Sequence, residues 1–137
     1  MKKLGRHILA EFTDCDRDIL NDYDAIRSLL TEAARQSGAT IVDTLFHEYN
    51  PHGLSGVIVI AESHISIHTW PEYGYASVDF FTCGERVNPW DGCRYLEKGL
   101  GSKSVFTREF DRGIPSEQDE VLPHKPMNLD YPNREVA

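Results

Sequence analysis

Lysine is absent from most of this chain. Lys2 and Lys3 stand at the start, and none follows before Lys98. The middle of the protein therefore has no side-chain amine to condense with a carbonyl substrate or to hold pyridoxal phosphate. Phosphate loops are missing too, with no G-x-G-x-x-G or Walker pattern. Cysteine is scarce. Cys15, Cys83 and Cys93 are odd in number and far apart, which excludes a disulfide framework and a paired zinc motif and points to a reducing cytoplasm. No apolar run approaches the roughly 18 residues needed to span a bilayer, and the opening "MKKLGRHILAEF" turns charged too soon to read as a secretory signal. Basic charge is in deficit: 14 Lys and Arg against 22 Asp and Glu leave a net charge of −8. That excludes the basic field a nucleic-acid surface needs.

What remains is a chain of 137 residues, 40% hydrophobic and 26% charged, as one globular domain requires. "RHILAEF" (6–12) alternates as a strand does. "NDYDAIRSLLTEAARQSG" (21–38) predicts a helix capped by Asn21 and stopped by Gly38, with Tyr23, Ile26, Leu29, Leu30 and Ala33 on its apolar face. Strands follow at 39–49 and 54–61. "SHISIHTW" continues almost without a break, "PEYG" turns, and "YASVDFF" (75–81) is a further strand. Residues 88–101 predict a second helix with Asn88 as cap and Pro89 at its first position, and 104–110 a last strand. The class is α+β, a two-layer arrangement with helices on one face of a largely antiparallel sheet. Residues 1–112 form the domain. Residues 113–137, with four of the seven prolines, read as an extended tail.

"AESHISIHTW" (61–70) is the unusual stretch. A strand period of two puts Glu62, His64, Ser66 and His68 on one face and Ser63, Ile65, Ile67 and Thr69 on the other. The plainest reading is a polar face open to water. A metal site formed by His64, His68 and Cys83 is disfavoured, because the two histidines lie about 13 Å apart by strand rise. A third reading is nucleophilic. Ser63 Oγ lies beside the Glu62 carbonyl, and a bent peptide with a base and an oxyanion donor would favour an N→O acyl shift. Elimination from the resulting ester cuts the chain, and hydrolysis leaves a pyruvoyl group. Assistance from His68 requires a kink near residues 62–63, since Ser63 and His68 otherwise face opposite ways. The missing lysines favour this reading, because a chain that handles amines through an imine must then carry its own carbonyl.

The block "AESHISIHTWPEYGYASVDFFTCG" (61–84), with "LGRHILAEFTDCD" (4–16) and "SGATIVDTLFHEYNPHGLSGVIVI" (37–60), resembles the short prokaryotic S-adenosylmethionine decarboxylase proenzymes over residues 4–112. The resemblance implies cleavage between Glu62 and Ser63, giving a β chain of residues 1–62 and an α chain of 63–137 that begins with pyruvoyl. It implies that His68 assists processing with support from Ser55, and that Cys83 donates the proton to the decarboxylated substrate. It also implies two αβ units sharing their active sites, a small-molecule substrate, and neither pyridoxal phosphate nor metal. In that family an aromatic ring near residue 49 stacks on adenine; the resemblance implies this role for Tyr49, which stands where Phe is expected, and either ring can stack. Trp70 and Glu72 are further substrate-binding candidates. Cys15 and Cys93, and the remaining histidines His7, His47, His52 and His124, keep structural or surface readings.

The expectation is thus a pyruvoyl-dependent decarboxylase acting on S-adenosylmethionine, which supplies the aminopropyl donor for spermidine. Two alternatives stand beside it. One is the same scaffold acting on arginine or ornithine; the other is an uncleaved binding module.

Overall fold

The computed structural model describes residues 3–114, so the tail expected over 113–137 lies outside the described residues from 115 onward. Six strands form one sheet: β1 (Gly5–Thr13), β2 (Ile41–Glu48), β3 (Leu54–Ile60), β4 (Ser63–Trp70), β5 (Tyr75–Cys83) and β6 (Ser104–Arg112). Their order is β2-β3-β4-β5-β1-β6, and every neighbouring pair is antiparallel. The short helix α1 (Arg17–Leu20) and the longer α2 (Tyr23–Gln36) join β1 to β2, and α3 (Pro89–Gly99) joins β5 to β6.

Alternation builds the two faces. Ile8, Ala10 and Phe12 of β1, Ile65 and Ile67 of β4, and Val78 and Phe80 of β5 are buried. They meet Ile26, Leu30, Ala33 and Ala34 of α2 and Cys93 and Leu96 of α3. The helices approach closely where Gly92 faces the end of α2. A Cβ there would stand 2.7 Å from the Ala33 carbonyl oxygen, so only glycine fits. On the opposite face no described helix covers the sheet, and Leu9, Leu45, Val59, Phe106 and Phe110 are exposed.

One boundary differs from the sequence expectation. Asp22, not Asn21, caps α2, its carboxylate accepting from the Ala25 N–H. Asn21 closes α1 instead, and its side chain accepts from the Gly53 N–H, a contact 32 residues away that local patterning does not register. Gly38 follows α2 at φ 80, where glycine is favoured. No described helix is long and apolar enough to cross a membrane.

Candidate active site

Between β3 and β4 the chain turns in two residues, Ala61 and Glu62, and Ile60 pairs with Ser63. The kink that serine chemistry requires is present: Ser63 has φ 146, a region that residues with a side chain rarely adopt and that costs on the order of 1–3 kcal/mol. The Glu62 carbonyl just before it accepts a hydrogen bond of 2.7 Å from the Cys83 N–H. Glu62 is not on the His64 face as strict alternation predicts. The turn rotates it inward to 1% exposure, where Oε1 accepts from the Thr40 N–H at 3.0 Å. Ser63 and Cys83 come together because Thr82, the neighbour of Cys83, is the direct cross-strand partner of Ser63. Gly5 of β1 pairs with Cys83, and a Cβ on Gly5 would lie 3.1 Å from Cys83 Sγ and 2.7 Å from the Thr82 carbonyl oxygen.

The second group of predicted residues gathers elsewhere on the uncovered face. Ser55 is directly opposite His68, and Ser55 Oγ lies 2.7 Å from His68 Nδ1. Both line a groove of about 250 Å³ with Tyr49, His47, Leu45 and Ser66. Trp70 stands beyond His68, ring centres 6.3 Å apart, and stacks on Tyr75 at 5.2 Å. Glu72 does not line this groove; it pairs with His52. His68 does not reach the Ser63 of its own chain. They stand five residues apart at opposite ends of β4, about 16 Å by strand rise. The kink moves the peptide at 62–63 but leaves this separation intact.

Between the two groups lies a polar array that pattern reading missed. Asp79 Oδ2 accepts from His7 Nε2 at 2.6 Å and from His64 Nε2 at 3.0 Å, while Oδ1 accepts from Ser66 Oγ. Burial alone would raise the Asp79 carboxyl. The hydrogen bonds from His64, Ser66 and His7 outweigh it and hold the group down at about 2. His7, His64 and Asp79 have the spacing of a metal cluster. However, an Arg112 guanidinium N–H donates to His7 Nδ1 at 2.6 Å, so His7 Nε2 carries the hydrogen that points at Asp79. A cation would have to displace it. The available signal was Asp79 itself, an acid on the His64 face of a hydrophobic strand. Cys15 and Cys93 are buried, and burial with the nearby Glu97 carboxylate pushes the Cys93 thiol up to about 11, as a structural cysteine should be.

These parts define a two-layer α+β protein whose uncovered sheet face carries the Ser55–His68 pair and the Asp79 array. The sequence profile of the S-adenosylmethionine decarboxylase family matches residues 6–113. The S-adenosylmethionine decarboxylase proenzyme of Pelotomaculum thermopropionicum is 54% identical over 114 residues, 83% of this chain and 90% of its own. That of Thermotoga maritima is 52% identical over 127 residues, 91% of this chain and 98% of its own. The crystal structure of the adenosylmethionine decarboxylase from Aquifex aeolicus matches with a TM-score of 0.80 at 37% identity, over 88% of this chain and 100% of that one. The chain belongs to the S-adenosylmethionine decarboxylase family.

Proposed function

We propose that this chain is a proenzyme that cuts itself between Glu62 and Ser63 and then decarboxylates S-adenosylmethionine. The observation that carries the proposal is the Glu62–Ser63 peptide, with its carbonyl held by the Cys83 N–H and Ser63 at a positive φ. The hydrogen bond draws electron density from the carbonyl carbon and stabilises the oxyanion formed when Ser63 Oγ attacks it. The C–N bond breaks and an ester takes its place. Loss of the Ser63 α-proton then expels Glu62 as a carboxylate, and hydrolysis of the dehydroalanine releases ammonia. The new N-terminus of residues 63–137 is a pyruvoyl group.

The site suits that group. Its precursor is at the mouth of a hairpin, and the chain has no lysine between residues 4 and 97 to hold pyridoxal phosphate in its place. A pyruvoyl group supplies a ketone that condenses with the substrate amine and accepts the electrons released with carbon dioxide. Cys83, held at the end of β5 against Gly5, returns the proton to the substrate α-carbon. Tyr49 in the groove offers a ring face to adenine, with Trp70 nearby, while Glu72, outside the groove and paired with His52, is the weaker substrate-binding candidate. The product is the aminopropyl donor for spermidine synthesis.

The 16 Å between Ser63 and His68 gives a reason for two copies to share sites. A second chain laid against the uncovered face would bring its Ser55–His68 pair and groove to this chain's Ser63 and Cys83. The exposed Leu9, Leu45, Val59, Phe106 and Phe110 make that face suitable for burial. Carbon dioxide release from S-adenosylmethionine, arginine and ornithine, assayed in parallel, tests the substrate. Release from S-adenosylmethionine alone is expected. Release from arginine or ornithine alone would overturn the substrate, and an inert, uncleaved chain would overturn the enzyme reading.

A further inference from the structure

We propose that the Glu62 side chain is a positioning residue for self-cleavage: its buried carboxylate, held by the Thr40 N–H, fixes the carbonyl that Ser63 attacks. The inference rests on the self-cleaving reading and gives a role to a side chain that the reading uses only as the residue before the cut.

Two-residue hairpin turns ordinarily carry Asn, Asp or Gly exposed to water. This one turns an acid inward to 1% exposure. Thr40, between α2 and β2, grips both turn residues. Its N–H donates to Glu62 Oε1 at 3.0 Å, and its carbonyl accepts from the Ala61 N–H at 2.8 Å. From the other side the Cys83 N–H holds the Glu62 carbonyl at 2.7 Å. The residue on the acyl side of the Glu62–Ser63 peptide is thus fixed from the β2 side and from the β5 side, and the irregular backbone falls at Ser63.

The arrangement is costly. Glu62 Oε2 is buried without a hydrogen-bond partner, and so is Oγ1 of Thr82, the cross-strand partner of Ser63. Unpartnered polar atoms of this kind are rare inside proteins, and a turn with only a structural task would avoid them. Attack on a peptide carbonyl benefits from holding the carbon still at close range to the nucleophile. The clamp does this, and after the bond breaks the same Thr40 and Cys83 N–H groups hold the new end of residues 1–62 in place. What Thr40 requires from Glu62 is an acceptor oxygen, not a charge.

The test is the rate of self-cleavage of freshly synthesised full-length chain in a cell-free pulse-chase, comparing wild type, Glu62→Gln and Glu62→Met. Hydroxylamine, which cuts esters, reports whether the acyl shift has occurred. Melting of each variant combined with Ser63→Ala reports the fold. Glu62→Gln should cleave within about threefold of wild type; Glu62→Met should slow by about tenfold or more and release nothing to hydroxylamine. Should Glu62→Met fail to fold, Thr40→Pro removes the donor while leaving Glu62 intact, and the same slowing is expected. Glu62→Met cleaving at the wild-type rate, Glu62→Gln slowing as much as Glu62→Met, or an ester accumulating in Glu62→Met would each overturn the proposal. Failure of the wild type itself to cleave would overturn the self-cleaving reading instead.

Discussion

Asp79→Asn isolates the array that stiffens the centre of the uncovered face. Asp79 accepts from His7, His64 and Ser66, and these bonds hold its carboxyl at about 2 against an ordinary 3.8. Each pKa unit corresponds to about 1.4 kcal/mol, so the depression is worth about 1–2 kcal/mol once solvent screening is allowed for. A carboxyl whose folded pKa is depressed stabilises the fold above its unfolded pKa and loses that contribution as pH falls through the folded value. The deficit of Asp79→Asn should therefore be complete at neutral pH and shrink between pH 3.8 and about 2. Urea unfolding measures it, with Ser63→Ala in both proteins so that the halves remain one chain, at fixed protein concentration. A deficit that is absent at neutral pH, or that stays constant through the acid range, would show that the Asp79 carboxylate does not stabilise the fold.

Three further outcomes follow from the site geometry. Cys83→Ala retains the backbone N–H that holds the Glu62 carbonyl, so denaturing mass spectrometry should still find cleavage while carbon dioxide release falls by about 10²-fold. Co-expression of Ser63→Ala with His68→Ala should restore cleavage of the His68→Ala chain, which neither achieves alone, because Ser63 and His68 then meet across two copies; no restoration would place both residues in one chain's site. Ser55→Ala removes the 2.7 Å partner of His68 Nδ1 and should slow cleavage by about tenfold without lowering the melting temperature by more than about 2 °C.

Most of the architecture was legible because burial here follows simple periods. The alternation in β1, β4 and β5 and the 3.6-residue stripe of α2 each put their apolar residues on the helix-covered side. A kink at 62–63 was expected so that His68 could assist Ser63; the backbone is irregular there, yet it does not bring the two residues of one chain together. Long-range pairings were not legible. His7 and Asp79 lie 72 residues apart and meet only because β1 inserts between β5 and β6. Asn21 was read as a cap because its bond to the Gly53 N–H leaves no local trace. The inward turn of Glu62 was hidden for a related reason: a two-residue hairpin breaks the alternation that would have placed it. Ser63 and His68 looked close because they are close in sequence, yet an extended strand is the conformation that separates them most.

The most direct test of the account is the intact mass of the purified protein under denaturing conditions, beside Ser63→Ala. Two chains are expected from the wild type, residues 1–62 ending in Glu62 and residues 63–137 beginning with a pyruvoyl group, and one chain from Ser63→Ala. A single wild-type chain of 15.6 kDa would contradict it.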